Sequence, residues 1–358
     1  MAMESNIEFI DLYAGIGGIR FGFEHAGAKC VFSSEWDEFS KLTYKAFHGE
    51  TPHGDIHKID ISTIPKHNIL TAGFPCQPFS LAGVSKKNSL GIKHGFEDPT
   101  QGTEFFKIKE ILSIKNPDAF FLENVKNLKN HDNKKTFEII EETLDVLGYH
   151  FKSRVIDSAF WVPQHRERIY ILGFKKELEL EDKIEGIFPE LPEDRLFELD
   201  EVLIPQDEII KKFADKYTLT LKTWQTLVRH KKNHAEKGNG FGYSLIMPPF
   251  KGKTTRTLSA RYYKDGAEIL VSQGRGKRPR RLTPLEACRL QGFPKECENF
   301  FNGGIKQPVS ELQAYRQFGN SVSVPVIKAI AEKFVKVLSE KYEEINKLQL
   351  LQTQPLAV

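Results

Sequence analysis

Apolar and polar residues follow two different periods over the first 175 positions of the chain. Short apolar runs bounded by turn-forming residues predict buried strands at 7–15, 28–36, 67–75, 118–125, 149–157 and 167–174. Between them, apolar residues recur every three or four positions, which predicts helices at 18–27, 37–49, 103–117 and 133–148. Strands and helices that alternate with short connections favour a doubly wound α/β sheet.

The alternation ends after Gly173, and three further segments follow. Residues 177–208 are acidic and rich in Leu and Pro, which predicts a linker. Residues 219–304 are basic and glycine-rich, and residues 324–348 have the period of one long helix that begins at a proline. We expect a large α/β domain (1–200), a smaller inserted domain (201–304) and a C-terminal segment (305–358) that returns to the first domain.

Charge is distributed unevenly along the chain. The formal net charge is +3, yet the stretch from Leu219 to Arg281 contains 15 Lys and Arg residues against 3 Asp and Glu residues. Such a concentration of positive charge favours a surface that binds a polyanion. No secretion signal or run of 18 apolar residues occurs, and the four cysteines are spaced for neither a zinc site nor disulfides. We therefore expect a cytoplasmic protein with reduced thiols and no metal site.

A glycine turn follows the first predicted strand. In "DLYAGIGGIRFGF", Gly15, Gly17 and Gly18 would let the backbone approach a ligand at a helix N-terminus. Arg20 occupies the third glycine position of a dinucleotide fingerprint, so a nicotinamide oxidoreductase is the weaker alternative.

Three further residues point to a nucleoside ligand. Glu35 ends the second predicted strand, where a carboxylate would reach ribose hydroxyls, and Trp36 offers a flat surface for a base. Asp55 could accept a hydrogen bond from an exocyclic amine. A nucleoside without a pyrophosphate, such as S-adenosylmethionine (AdoMet), fits this set.

Reactive side chains follow the next strands. Cys76 ends the third strand in "TAGFPCQPFS", and Glu123 ends the fourth in "FFLENV". Arg166 and Arg168 lie two residues apart at the start of a strand, in "QHRERIY". Ligands of open α/β sheets bind beyond the carboxyl ends of the strands. A thiol, a carboxyl group and two guanidinium groups would thus meet beside the nucleoside pocket.

These motifs, in this order, resemble those of the C5-cytosine DNA methyltransferases. The resemblance rests on "DLYAGIGGIR", "GFPCQPFS", "FFLENVKN", "QHRERIYILGF", "RRLTPLEACRLQGFP" and "AYRQFGNSV", across about residues 7–325. It implies an AdoMet-dependent methyltransferase with a Rossmann-like sheet and an inserted domain that recognises the DNA target. Such enzymes flip the target cytosine out of the duplex and transfer a methyl group to its C5 atom.

The resemblance also implies a role for each matching residue. Cys76 would add to C6 of the cytosine and Glu123 would contact N3 and the exocyclic amine. Arg166 would support the base near O2 and orient the Cys76 loop, and Arg168 would help to hold the site. The residues implied in AdoMet binding are Tyr13, Gly15, Gly17, Gly18, Glu35, Trp36 and Asp55, with Pro75 and Asn320 closing the pocket.

The DNA contacts implied by the resemblance lie in two places. Gln77 and Ser80 would contact DNA from the loop after Cys76. That loop is longer than in many relatives, and Gln101 stands where many have an arginine, so Lys86 and Lys87 could replace a phosphate contact. In the basic region, Arg256 and Arg261 are suited to guanine edges. Arg278 and Arg280 lie in the densest basic run, "GRGKRPRR".

The basic region is similar to that of relatives that methylate the inner cytosine of CCGG, CCWGG or CCNGG. Double-stranded DNA is the expected partner, a cognate restriction endonuclease is the expected functional counterpart, and a monomer would suffice. Two alternatives stay open at this point: an RNA cytosine methyltransferase of the same fold, and a DNA-binding regulator with an inactive site. The long basic region favours DNA, and the intact Cys76, Glu123 and Arg166 favour an enzyme.

Overall fold

The computed structural model describes residues 7–75, 104–302 and 306–352. Its central sheet has six strands in the order β2-β1-β3-β4-β6-β5. The strands are β1 (Glu8–Leu12), β2 (Lys29–Ser34), β3 (Ile69–Gly73), β4 (Ala119–Val125), β5 (Tyr149–Asp157) and β6 (Glu167–Lys175). β1, β2, β3 and β4 are parallel, whereas β6 runs antiparallel to β4 and β5. The predicted α/β sheet is confirmed, with a mixed edge.

Helices surround this sheet and continue into the second half of the chain. They are α1 (Gly18–His25), α2 (Glu38–His48), α3 (Glu104–Lys115), α4 (Lys135–Val146), α5 (Glu181–Ile187), α6 (Leu199–Val202), α7 (Gln206–Phe213), α8 (Leu221–Glu236), α9 (Pro284–Leu290), α10 (Lys295–Glu298), α11 (Glu311–Asn320) and α12 (Val324–Gln352). Two short parallel strands, β7 (Leu245–Ile246) and β8 (Leu270–Val271), pair beside α8.

Successive strand residues enter two different apolar cores. Ile10 and Leu12 of β1 belong to a core that includes α3 and α4, whereas Phe9 belongs to one that includes α1 and α12. This follows from the alternation of side chains along a strand. Because both faces are covered, the strands are apolar along most of their length, which is why they were recognisable in the sequence.

The long C-terminal helix returns to the sheet, as the sequence predicts. Helix α12 begins one residue before Pro325 and lies against α1. Phe334 stacks on Phe174 of β6, with ring centroids 4.7 Å apart. Gly22 allows the close approach, since a Cβ atom at this position would lie 2.4 Å from Cγ2 of Ile327. The C-terminal helix is therefore part of the same core as the first strand.

The prediction that residues 177–208 form a linker is wrong. Helices α5 and α6 lie within this segment, and α7 begins at its end. Ile184 and Ile187 are fully buried in the core beneath α12, and Leu199 is fully buried in a different core. The prolines and acidic residues only separate short helices, and the leucines and isoleucines anchor them.

A third large core links the basic region with the chain on either side of it. Its residues extend from Leu199 to Val324, and Ile16 of the glycine turn also belongs to it. The division into 1–200, 201–304 and 305–358 is retained as a proposal, with this core as the contact between the parts. Within the described ranges, none of the helices has the length and apolarity needed to cross a membrane.

Candidate active site

A cleft of about 790 Å³ opens at the carboxyl ends of β1, β2, β3 and β4. The strand order predicts this position. The chain passes from β1 to β2 on one side of β1 and then to β3 on its other side. Open α/β sheets bind ligands at such a reversal of strand order. The predicted cofactor residues that line it are Tyr13, Gly15, Gly18, Glu35, Trp36, Asp55, Pro75 and Asn320. Glu123 and Arg168 line the same cleft. The structure thus brings together residues up to 307 positions apart along the chain, from Tyr13 to Asn320.

The glycine turn forms one wall of the cleft. Gly15 and Gly17 have φ values of 57° and 81°, a region that L-residues with side chains rarely adopt. A Cβ atom on Gly17 would lie 2.0 Å from Nε2 of His48, so close packing below the turn also requires glycine there. Gly17 does not line the cleft. Its close packing assigns it to the shape of the turn, and its predicted contact with AdoMet stays a prediction.

Glu35 is fixed by backbone donors on both sides. Its Oε2 accepts a hydrogen bond from Gly15 N and its Oε1 accepts one from Asp37 N, both at 2.8 Å. The side chain is buried, which raises its pKa, and these two hydrogen bonds oppose that shift. The carboxylate thus joins the glycine turn to the start of α2. Carboxylate oxygens have further lone pairs, so the same group can still accept from a ligand hydroxyl.

Two flanking residues present different chemistry to the cleft. The Trp36 side chain is 67% exposed, so an indole face is available next to the Glu35 carboxylate. Asp55 begins a short 3-10 turn, where its carboxylate accepts from His57 N at 3.0 Å.

Tyr13 has a φ of 55° and donates its hydroxyl hydrogen to the Glu104 carbonyl at 3.1 Å. That bond ties the glycine turn to the start of α3.

The opposite end of the cleft carries a buried carboxyl group beside a guanidinium. Glu123 on β4 lies 3.2 Å from Arg168 on β6, measured from Oε1 to Nε. Burial raises the pKa of Glu123, and the charges of Arg168 and Arg166 oppose this shift. Among the described residues, no hydrogen bond of acceptable geometry reaches Glu123 Oε1. A polar atom that is buried without a hydrogen bond is poised for a ligand donor.

The turn that precedes Cys76 is anchored to the end of β4. Asn124 Nδ2 donates to the Phe74 carbonyl at 2.8 Å, next to Pro75 in the cleft wall. Cys76 follows Pro75 directly in the chain but lies outside the described residues, as do Gln77, Ser80, Lys86, Lys87 and Gln101. Their predicted roles remain predictions.

Comparison with known proteins shows the family of the chain. The family described as C-5 cytosine-specific DNA methylase matches residues 7–336. The chain belongs to this family. The methyltransferase is 45% identical to the DNA-cytosine methyltransferase of Escherichia coli (strain K12), over 97% of this chain and 80% of that protein. It is 47% identical to the type II methyltransferase M.NlaX of Neisseria lactamica, over 93% and 97%.

Two further relatives extend the comparison. The type II methyltransferase M.HpaII of Haemophilus parainfluenzae is 40% identical, over 95% of this chain and 92% of that protein. Among solved structures, the S. pombe Dnmt2 methyltransferase has a TM-score of 0.66 at 18% identity and covers 95% of this chain, with all of its own length matched. This structural likeness shows that the fold is shared. The predicted recognition, fold class and enzyme class are confirmed.

Arg166 is held by backbone carbonyls from two other segments of the chain. Its side chain is buried and does not line the cleft. Nη1 donates to the Leu258 carbonyl at 3.2 Å, and Nη2 donates to the carbonyls of Gly319 (3.1 Å) and Ser321. In this methyltransferase, Arg166 therefore ties the basic region to the segment that holds Asn320. Its predicted contact with base O2 and its predicted role in orienting the Cys76 loop stay predictions.

Two buried glutamines, which the sequence analysis missed, reinforce this tie. Gln164 Oε1 accepts from Leu258 N at 2.7 Å, and Gln164 Nε2 donates to the Leu290 carbonyl at 3.2 Å. Gln291 Nε2 donates to the Phe318 carbonyl at 2.6 Å. Both side chains are fully buried. The available signal was position, because each glutamine lies within a motif of the family resemblance, at "QHRER" and "RLQGFP".

The predicted DNA-contact residues have different surroundings. Arg256 and Arg261 are exposed, and Arg256 Nη1 donates to the Gly242 carbonyl at 2.9 Å. Arg278 is half-buried and donates to the Leu219 carbonyl at 2.6 Å.

The prediction that Arg280 contacts DNA is wrong. Its guanidinium is buried and forms two hydrogen bonds with Glu286, each 2.8 Å long. Glu286 also accepts from the backbone N–H groups of Ile204 and Thr283. This pair holds α9 against the chain around Ile204, so we assign Arg280 to the core.

Substitution of Arg280 distinguishes a role in the core from a role in DNA binding. We expect Arg280→Ala to lower the free energy of unfolding by about 3–5 kcal/mol, because it leaves the Glu286 carboxylate buried without its partner. Arg275→Ala is the matched control, since Arg275 is exposed in the same basic run and should change stability by less than about 0.5 kcal/mol. Urea unfolding followed by circular dichroism measures both. Wild-type stability for Arg280→Ala, together with weakened DNA binding, would restore the surface role.

Proposed function

We propose that this chain transfers a methyl group from AdoMet to C5 of a flipped cytosine in a specific short duplex sequence, through a covalent adduct between Cys76 and C6. One observation carries the proposal. At one end of a single cleft, Glu35 and Trp36 are suited to bind a nucleoside. At the other end, the buried carboxyl group of Glu123 lies beside the guanidinium of Arg168. Pro75, the residue before Cys76, lines the wall between them.

The cofactor end of the cleft suits AdoMet in size and chemistry. The volume of the whole cleft lies within the range of about 300–1,000 Å³ that is usual for small-molecule sites. Glu35 would accept from the ribose hydroxyls, Trp36 would cover the adenine, and Asp55 would accept from the adenine amine. Gly15 and Gly18 leave room for the ligand beside the glycine turn. AdoMet supplies an electrophilic methyl group, and these residues would direct it towards the Glu123 end.

The reactive end suits a cytosine whose C5 atom must become nucleophilic. The Cys76 thiolate would form an Sγ–C6 bond, and the displaced electron pair would pass through the ring towards N3 and C5. Glu123 would stabilise this charge at N3 by donating its proton or by hydrogen bonding. C5 would then attack the methyl carbon, and the bond between that carbon and the sulfonium sulfur of AdoMet would break, which leaves S-adenosylhomocysteine. Loss of the C5 proton to solvent and cleavage of the Sγ–C6 bond would restore the aromatic ring and the free cysteine.

The electrostatic setting of Glu123 supports this role. Burial favours the neutral form of the carboxyl group, and a neutral carboxyl group can donate a hydrogen bond to N3. Arg168 counteracts the shift and fixes the orientation of the side chain. A stacked cytosine would not reach this depth, so the base must leave the duplex, at a cost of roughly a few kcal/mol.

The basic region would bind the DNA around the flipped base. Arg256, Arg261 and Arg278 are retained as DNA contacts, with Gln77 and Ser80 on the catalytic side. Exposed cations of the same region, including Lys222, Arg229, Lys232 and Arg275, would neutralise phosphates. Relatives named as type II methyltransferases favour a pairing with a cognate restriction endonuclease. One chain acting as a monomer would suffice, because each strand can be methylated in a separate visit.

Two substitutions should separate the two ends of the cleft. We expect Glu123→Gln to slow methyl transfer roughly 10²–10⁴-fold with little change in AdoMet affinity, because it removes a proton donor on the base side. Trp36→Ala should weaken AdoMet binding and leave DNA affinity close to that of the wild type. Single-turnover methylation and calorimetric AdoMet titration measure the two effects. Reversal of this pattern would mean that the two ends have been exchanged.

The covalent step can be trapped. In the presence of AdoMet, a duplex with 5-fluorocytosine at the target should form a denaturant-resistant complex, because fluorine does not leave as the C5 proton does. Cys76→Ser is the control and should form none, while it retains DNA binding. Mass spectrometry of the digested complex locates the attached residue. Trapping at a cysteine other than Cys76 would disprove the assignment.

The target sequence is proposed to be a short C-C-(N)-G-G palindrome, methylated at the inner cytosine. Arg256 and Arg261 suit bidentate contacts with guanine O6 and N7, each providing about 1–3 kcal/mol of discrimination. Bisulfite sequencing of plasmid DNA from a methylation-free host that expresses this chain identifies the protected cytosines. Protection in an unrelated context such as GGCC would reject the target and leave the catalytic proposal intact.

A further inference from the structure

We propose that His230 and His234 on α8 form a binding site for a divalent late transition-metal ion such as Zn²⁺ or Ni²⁺. The two residues lie four positions apart on the helix, so their side chains share one face. Their Nε2 atoms are 3.1 Å apart, and their ring centroids are 4.3 Å apart. The two nitrogens therefore already face each other across the distance that one ion would bridge.

The separation of the two nitrogens matches a chelate. Metal–nitrogen bonds of about 2.0–2.1 Å to both Nε2 atoms, combined with that separation, give an N–metal–N angle of about 100°. This angle lies between the octahedral and tetrahedral values. Small side-chain rotations would therefore bring the pair into either geometry. Binding would replace the N–H···N bond between the two rings, with the proton of that bond moving to the outer nitrogen of its ring.

A hydrogen bond with Asn239 holds the His234 ring in the tautomer that metal binding requires. Asn239 Oδ1 lies 2.7 Å from His234 Nδ1 and accepts its hydrogen. With Nδ1 protonated, the neutral ring has its lone pair on Nε2, the nitrogen that faces His230. Gly238, with a φ of 72°, turns the chain after α8, and Asn239 N donates to the His234 carbonyl at 3.1 Å. Metal-binding histidines usually have such a partner on the outer nitrogen.

The chemistry of the pair restricts the class of ion. Imidazole ligands suit Zn²⁺, Ni²⁺ and Cu²⁺, whereas Mg²⁺ and Ca²⁺ prefer oxygen ligands. In the part of the chain that the structure describes, no cluster of three or more His, Cys, Asp or Glu side chains is arranged to hold a metal. Water would therefore complete the coordination. The ammonium group of the adjacent Lys231 has another partner, since its Nζ donates to the Tyr243 carbonyl at 3.2 Å.

The site is separate from the methyl-transfer cleft, since neither histidine lines that cleft. It lies instead beside the loop that carries exposed Phe241, whose ring centroid is 5.7 Å from that of His234. The Gly242 carbonyl in the same loop accepts from Arg256. A bound ion would therefore stabilise the end of α8 and this loop, next to a proposed DNA-contact arginine. The site was not expected from the sequence, which predicted no metal.

Zn²⁺ titration of the chelator-treated, full-length protein by calorimetry tests the proposal, with Ni²⁺ as a second probe because it binds imidazole well. We expect one binding event that is lost in His230→Ala and in His234→Ala. Asn239→Ala should weaken it about 10–100-fold, the usual effect of removing a partner of a metal-binding histidine. His25→Ala is the matched control, since His25 is half-exposed and paired with Glu332 elsewhere; it should bind as the wild type does.

Metal-free melting temperatures decide whether each variant is folded. The expected result is that Zn²⁺ raises the melting temperature of the wild type and of His25→Ala but not of the two α8 variants. Unchanged Zn²⁺ and Ni²⁺ binding in the His230→Ala, His234→Ala double variant would overturn the proposal, because the ions would then be held elsewhere. Absence of any binding by the wild type at millimolar metal would overturn it as well.

Discussion

The parallel pairing of β1 with both β2 and β3 is the constraint on which the site depends. Parallel strands end at the same edge, so the segments that follow them meet there. The glycine turn follows β1, Glu35 follows β2 and Pro75 follows β3 within two residues. β4 continues the parallel order and places Glu123 at the same edge. No contact between these segments needs to be specified separately, because strand order alone brings them together.

A network of buried polar groups joins this edge to the rest of the molecule. Gln164 and Arg166 precede β6, and both bind the backbone of Leu258 in the basic region. Arg166 also binds the chain around Asn320, on the cofactor side. Hydrogen bonds of this kind have a defined geometry, so they fix relative positions more strictly than apolar contacts do. The region proposed to read DNA and the segment proposed to hold AdoMet therefore share one set of anchors.

Sequence patterns predicted those features whose causes are local. Strands covered on both faces are apolar along most of their length, and a glycine turn with Glu35 after the next strand depends on nearby residues only. The failures have distant causes. The charge of Arg280 suggested an exposed surface, but its burial depends on Glu286, which in turn binds Ile204, 82 positions away. The segment 177–208 resembles a linker unless its leucines and isoleucines are known to meet two different cores.

The buried carboxyl group of Glu123 has opposite effects on folding and on the proposed reaction. Within the described ranges Glu123 Oε1 has no hydrogen bond, and a buried polar atom in this state costs about 1–3 kcal/mol of stability. Arg168 offsets part of the cost through its charge, without supplying that hydrogen bond. A cytosine amine that donated to this oxygen would recover the remainder on binding. Under the proposed function, a hydrogen bond donated by the cytosine to this oxygen would therefore help to hold the flipped base in the cleft.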